Sequence, residues 1–305
     1  MKVLILGSNG LVGSSVKRIF KSDKFFSEVY SSNRKETNLF LLDQTKELIK
    51  NVKPNIVVNA AAKVGGILAN NLSRTEFILE NLKININLLE SLIPYPDIKL
   101  INLGSSCIYP LGAQNPIKES SLMTGALEPT NSPYAMAKLT AIEMGDALSK
   151  QYGHKIINLM PTNLYGPNDN FSHDNSHVIP GLISKMHQAK LNRSLEFTAW
   201  GTGSPLREFL FVDDLSEAIK FILKNNIEDN LLNVGSGNEI SISSLIELIK
   251  EVVGYQGDIK FDTSKPDGNP RKLLDSTKLN RLGWNATTNL ESGLNKTYEW
   301  FKNNN

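Results

Sequence analysis

The 305-residue chain carries 33 basic and 31 acidic side chains, with a net charge of +2 and both signs interspersed, so it lacks the basic stripe that nucleic-acid binding requires. A hydrophobic fraction of 40% and a charged fraction of 21% are those of an ordinary globular protein and argue against disorder. A single cysteine excludes an internal disulfide, and the apolar run Val3 to Leu6 is too short for a signal-peptide core or a membrane span, so the expectation is a cytoplasmic protein.

Val3 to Leu6, a Gly-rich turn and the amphipathic stretch Leu11 to Phe20 predict strand, loop and helix. A second strand, VYSS, ends before Asn33-Arg34-Lys35. Further apolar runs, Asn55 to Ala60, Lys99 to Leu103 and Lys155 to Met160, are separated by longer helical segments. This alternation predicts an α/β fold, a Rossmann-type doubly wound parallel sheet with a second, smaller α/β substrate domain. Past Pro167 come a loop rich in Asn, Asp and His (Asn168 to His177), a helix near Pro180 to Ala189, and the strand-like LEFTAW and REFLFV around a Gly-rich turn. The expected division is residues 1–165 for the dinucleotide and 166–305 mainly for substrate, with segments near 205–235 returning to the first. Ser241 to Val253 and Leu290 to Phe301 are expected helices.

GSNGLVG, comprising Gly7, Ser8, Asn9, Gly10, Leu11, Val12 and Gly13, follows the first strand and opens the first helix. Glycines so placed let backbone N–H groups approach a pyrophosphate at the positive end of a helix, against the plainer reading of a tight turn. An NAD-selective site places an acid after the second strand. Here Arg34 and Lys35 stand there instead and suit the 2'-phosphate of NADP, with Glu36 as the opposing sign and solvated surface charge as the alternative. In SPYAMAK, Ser132 reads as an N-cap and Pro133 as the first helical residue, which puts Tyr134 and Lys138 on one helix face. A cation beside a phenol favours the phenolate, so the pair suits proton transfer, although Y-x-x-x-K also occurs by chance in amphipathic helices. The lone Cys107, behind Ser105 and Ser106 at a strand end, is a candidate base or a small buried apolar residue. Asp213 and Asp214 read as helix caps. None of His154, His173, His177 and His187 lies in a metal-ligand motif, so no metal is expected.

The glycine turn, Ser105 and the Tyr134/Lys138 pair together are the signature of the extended short-chain dehydrogenase/reductase superfamily. Within it, AAKVGGILANN (Ala61 to Asn71), LGSSCIYP (Leu103 to Pro110), LEPTNSPYAMAK (Leu127 to Lys138), MPTNLYGPNDNF (Met160 to Phe171), SHVIP (Ser176 to Pro180), WGTGSPLREFLFVDD (Trp200 to Asp214) and KPDGNPRKLLD (Lys265 to Asp275) closely resemble the GDP-L-fucose synthase family across most of the chain. That resemblance implies an NADP(H)-dependent 3,5-epimerase and 4-reductase acting on a GDP-4-keto-6-deoxy sugar. It makes Cys107 the base and His177 the acid of epimerisation, and Tyr134, Lys138 and Ser105 the reductase group. Leu103, Gly104, Ser106, Pro161, Thr162, Asn163 and Leu164 would line the cofactor. His177, Lys185, Trp200, Arg207 and Asp267 would bind substrate; Lys185 stands where the family commonly has arginine. A homodimer is implied as well. The rivals are a GDP-L-colitose synthase, a plain 4-ketoreductase, and a redox-sensing protein on a degenerate reductase fold.

Overall fold

The computed structural model describes residues 1–172, 176–265 and 267–304. In chain order it runs β1 (Lys2–Leu6), α1 (Leu11–Lys21), β2 (Glu28–Ser32), α2 (Leu42–Val52), β3 (Ile56–Asn59), α3 (Ile67–Leu72), α4 (Arg74–Leu92), β4 (Lys99–Leu103), α5 (Ser132–Tyr152) and β5 (Ile156–Pro161). There follow β6 (Asn163–Tyr165), α6 (Val178–Leu191), β7 (Glu196–Trp200), β8 (Leu206–Phe211), α7 (Val212–Lys224), β9 (Leu231–Val234), β10 (Glu239–Ser241), α8 (Ile242–Val253), β11 (Asp258–Asp262), β12 (Arg271–Lys272), α9 (Thr277–Arg281) and α10 (Leu290–Asn304).

Six strands form a parallel sheet in the order β2-β1-β3-β4-β5-β9. Its strands read as unbroken apolar runs because both faces are covered. Val3, Ile5, Val58 and Ile101 meet α1 and α7 on one face; Leu4, Leu6, Val57 and Leu100 meet α2, α4 and α5 on the other. One polar row crosses this core. Asn59, Asn102 and Asn158 stand opposite one another on β3, β4 and β5. Asn59 donates to Asn102 at 3.1 Å and Asn102 to Asn158 at 3.0 Å, while Asn158 donates to the Asn230 carbonyl at 3.2 Å. Three buried amides are thereby satisfied among aliphatic neighbours.

The REFLFV segment enters a different sheet. β8 lies between β10 and β12 and also pairs with β6, while β7 pairs with β11. A second core, with Tyr165, Phe197, Phe209, Phe211, Leu245 and Tyr298, fills this half. α7 then crosses back onto α1, where Ser216 donates to Ser15 at 2.8 Å.

Two readings of helix ends need correction. Asp213 and Asp214 do not cap α7, because Phe211 occupies the cap position and both acids stand inside the first turn. Their side chains hold other segments: Asp213 accepts from Ser15 and Arg18, and Asp214 from the backbone N–H of Thr287 and Thr288. α5 begins one residue earlier than expected, with Asn131 at the cap and Ser132 already helical. Glu128 supplies the acceptor there, bonding the N–H groups of Thr130 and Asn131.

Candidate active site

The glycine turn is built by close approach. Gly7 has φ +76° and its N–H bonds the Ser32 carbonyl at 2.9 Å, so the loop folds over the end of β2. A Cβ on Gly13 would strike the Gly7 backbone, whereas at Gly10 the nearest atom is 3.6 Å away. Gly13 is therefore required by the fold, while the free face of Gly10 is space that the protein leaves open. α1 has no side-chain cap and no acid in its first turn, which leaves the N–H groups of Leu11, Val12 and Gly13 facing outward as an anion cradle. These features fit a dinucleotide pyrophosphate. Arg34 lies over the Phe40 ring at 4.7 Å and within 3.8 Å of Glu80. The opposing acid is accounted for, because the Glu36 carboxylate is turned back to accept from the Asn33 N–H at 2.9 Å.

At the end of β4 the chain makes a short 3-10 turn, Ser106–Ile108, with Ser105 at its cap accepting from the Cys107 N–H at 3.2 Å. Tyr134, from the first turn of α5, closes over this turn. Burial holds its phenol well above the ordinary value, electrostatic interaction with Cys107 acts in the same direction, and a hydrogen bond with Ser105 opposes it. Lys138, one helical turn on, is buried and donates to the Leu103 carbonyl at 2.7 Å; burial pulls its ammonium down to about 8. Its Nζ is 5.8 Å from the Tyr134 ring centroid. Cys107 is partly exposed, and the Lys272 ammonium approaches its sulfur at 3.6 Å. Burial raises the Tyr134 phenol, so it is a protonated acid in this geometry, with Lys138 one helical turn away on the same face.

Of the remaining expected cofactor residues, Ser106 is buried and Gly104 packs against Met160. Thr162 and Asn163 turn their side chains to the Glu208 carbonyl, at 3.3 and 2.8 Å. Any contact they make with a ligand is therefore left to the strand backbone and to Pro161 and Leu164 on either side.

His177 occupies the N-cap position of α6 without a side-chain cap bond and is exposed as a residue, while desolvation of its ring holds the imidazole below its ordinary value. Gly66 packs against the Ser176 carbonyl, and the next residue, Ile67, reaches toward Gly268. The AAKVGGIL segment thereby bridges the Ser176–His177 stretch and the Gly268 loop, which lies against Arg207 on β8. Lys185 and Lys265 both approach the Trp200 ring, at 5.7 and 5.8 Å, and that ring is 65% exposed. Asp267 accepts from Thr202 N and Oγ1 and faces the charge of Arg207. Arg207 is not paired with its neighbour Glu208, which is fully buried and accepts from the N–H groups of Gly237 and Leu274. Sequence reasoning missed Lys265 and Lys272 as site residues; both lie in KPDGNPRKLLD, where nothing in the local pattern separates them from surface lysines. Among the described residues, no group of three or more His, Cys, Asp or Glu is arranged to hold a metal ion; His173 lies outside the described residues.

A glycine turn at the first strand, with serine, tyrosine and lysine gathered at the end of the fourth, defines a dinucleotide-dependent reductase of the short-chain kind. The sequence profile of the NAD dependent epimerase/dehydratase family matches residues 3–235. GDP-L-fucose synthase 1 of Arabidopsis thaliana is 47% identical over 303 residues, covering 99% of this chain and 94% of its own. GDP-L-colitose synthase of Yersinia pseudotuberculosis is 36% identical, with 99% and 98% covered. A GDP-L-fucose synthetase from Naegleria fowleri, solved bound to NADP, aligns with a TM-score of 0.88 at 28% identity, covering 99% of this chain and 94% of that one. The chain belongs to the NAD dependent epimerase/dehydratase family, and within it to the GDP-L-fucose synthases.

Proposed function

We propose that this protein is a bifunctional NADPH-dependent 3,5-epimerase and 4-reductase that converts GDP-4-keto-6-deoxy-D-mannose to GDP-L-fucose. The observation that carries the reading is the convergence of Ser105, Cys107 and Tyr134 on one strand end, with Lys138 behind them. A reductase alone has no use for the thiol.

The C4 ketone acidifies the protons on C3 and C5, so inversion needs a base on one face and an acid on the other. Cys107 takes the proton and His177 returns one from the opposite side. Tyr134, held in its protonated form, then gives its proton to the developing C4 alkoxide while Ser105 hydrogen-bonds the same oxygen. NADPH, when bound, supplies the hydride. The backbone N–H groups of Leu11, Val12 and Gly13 in the Gly7 to Gly13 turn would hold its pyrophosphate, Arg34 its 2'-phosphate and Lys138 its nicotinamide ribose. Arg207 takes the substrate diphosphate by its fork, while Lys185, Trp200 and Asp267 line the nucleotide side. Residues 1–165 form the cofactor part and 166–305 mainly the substrate part, with α7 and β9 rejoining the first.

The 36% identity to a colitose synthase, against 43 to 48% for several fucose synthases, favours the fucose reading. A homodimer is supported by Leu79 and Ile86 on α4 and Met136 on α5, exposed apolar residues on two helices that pack together. No helix among the described residues is long and apolar enough to cross a membrane, and the compartment we propose is the cytoplasm. The test is reaction of the purified protein with GDP-4-keto-6-deoxy-D-mannose and NADPH, followed by NMR of the product. GDP-L-fucose is the expected product; a D-configured sugar would sink the epimerase assignment.

A further inference from the structure

The approach of Lys272 to Cys107 has no counterpart in the roles assigned so far. β12 is only two residues long, and its neighbours pin it on several sides. Arg271 pairs with Glu239 at 2.8 Å. The Leu273 N–H bonds Asn115 at 2.8 Å, and its carbonyl accepts from the Ile117 N–H at 2.8 Å. The Leu274 N–H bonds the buried Glu208 carboxylate at 3.1 Å. Asn115 and Ile117 lie on the loop that continues from the Cys107 turn, so the strand bearing the lysine is stitched to the segment bearing the thiol. Lys272 is left as the residue of this strand whose charge is aimed at the sulfur, at 3.6 Å, with the pair 165 positions apart in sequence. From α5 the groups facing this turn are the Tyr134 phenol, which is electrostatically linked to Cys107, and Lys138, 5.8 Å from the Tyr134 ring centroid.

We propose that Lys272 is the positioning residue that holds Cys107 in its anionic, base-competent form. A thiol is a poor base, and a neighbouring ammonium stabilises the thiolate without competing for the substrate's carbon acid. The inference rests on the epimerase reading for its chemical purpose. In the step it serves, the C–H bond at C3 or C5 breaks and its proton forms the S–H bond. The C–H electron pair becomes the enolate double bond and the carbonyl pair moves onto O4; reprotonation of carbon by His177 from the other face restores the ketone. During the step the ammonium of Lys272 passes from facing an anion to facing a neutral thiol, and it does not itself gain or lose a proton.

Because Cys107 is the only cysteine in the chain, iodoacetamide alkylation followed by intact mass reads this thiol alone. In the wild-type protein the alkylation rate should rise with a midpoint below the ordinary cysteine value of about 8.5. Lys272→Met should move that midpoint up by at least about one pH unit, so that alkylation at pH 7 slows about tenfold, and Lys272→Arg should restore most of it. Deuterium wash-in from solvent should fall in parallel in Lys272→Met, with NADPH affinity kept as the sign of an intact fold. An unmoved midpoint in a Lys272→Met protein that still binds NADPH would overturn the proposal, as would a midpoint that Lys272→Arg fails to restore. Should Lys272→Met not fold, the midpoint of Lys272→Arg and that of the wild type decide: a wild-type midpoint at or above about 8.5 overturns it. If the midpoint moves but no 4-keto sugar is turned over, the thiolate device stands and the epimerase reading fails.

Discussion

The two walls of the proposed active site are built by opposite means. On the cofactor side the geometry is set by backbone and burial: Gly13 fits only because it has no side chain, and Lys138 is held in the interior against a carbonyl. On the substrate side, Lys185 on α6, Trp200 at the end of β7, Arg207 on β8 and Asp267 on a loop come from different elements and are oriented by one another. Trp200 is largely exposed between two lysines, and Asp267 is fixed by Thr202 and the charge of Arg207. The cofactor wall is thus part of the fold, and damage to it destabilises the protein. The substrate wall is an addition to the fold, and damage to it is read in substrate binding.

The sharpest way to break this contrast lies within the glycine turn. Gly13→Val drives a side chain into the Gly7 backbone and should lower the thermal midpoint by several degrees and abolish NADPH binding, because overpacking costs about 1–3 kcal/mol or more. Gly10→Val meets no close protein atom, so it should leave the thermal midpoint nearly unchanged and weaken NADPH alone. Calorimetry with and without NADPH separates the two.

Next in size are the chemical steps. Tyr134→Phe should slow reduction by about 10²–10⁴-fold while deuterium wash-in at C3 and C5 continues. Cys107→Ser should block the wash-in while the unepimerised ketone is still reduced. A Cys107→Ser protein that exchanges at the wild-type rate would make the thiol packing only.

A pH effect of a few kcal/mol follows from Lys138. Its folded-state value of about 8 lies below the unfolded value of about 10.4, so between these limits the unfolded chain binds the extra proton and stability rises with pH. Urea unfolding at pH 8 and pH 10 should show a gain of about 2–3 kcal/mol in wild type relative to Lys138→Met. Equal pH dependence in both proteins would show that the buried ammonium carries no such cost.

The smallest expected effect on the fold comes from the substrate wall. Trp200→Ala should change stability by no more than about 0.5 kcal/mol, since the ring is exposed. Its KM for the GDP-sugar should rise severalfold with little change in NADPH affinity, by steady-state kinetics. A large loss of stability would mean that the ring is structural after all.

The main sheet was readable from sequence because burial on both faces leaves strands such as IVVN and IINLM without polar interruptions of period two, and parallel strands need intervening helices. The second half was read as strands and helices without their partners. β6, β10 and β12 have only two or three residues each, too few for any periodicity, and β8 acquires its neighbours from widely separated segments. The same distance hid Lys272. By contrast Tyr134 and Lys138 were visible because one helix carries both, and Ser105 and Cys107 because one turn does. What a local pattern cannot state is how deeply its surroundings bury a group, and it is burial that raises the Tyr134 phenol.

The row of Asn59, Asn102 and Asn158 has a consequence for how faithfully the chain assembles. Apolar strands alone tolerate sliding past one another by two residues, since valine and isoleucine can exchange places with modest loss. Amides in matched positions remove that freedom, because any shift of β3, β4 or β5 strands a buried amide at about 1–3 kcal/mol each. The correct alignment thus becomes the lowest of several otherwise similar ones. Since the β4 end carries Ser105 and Cys107, a proofreading contact deep in the sheet determines where the reactive side chains emerge.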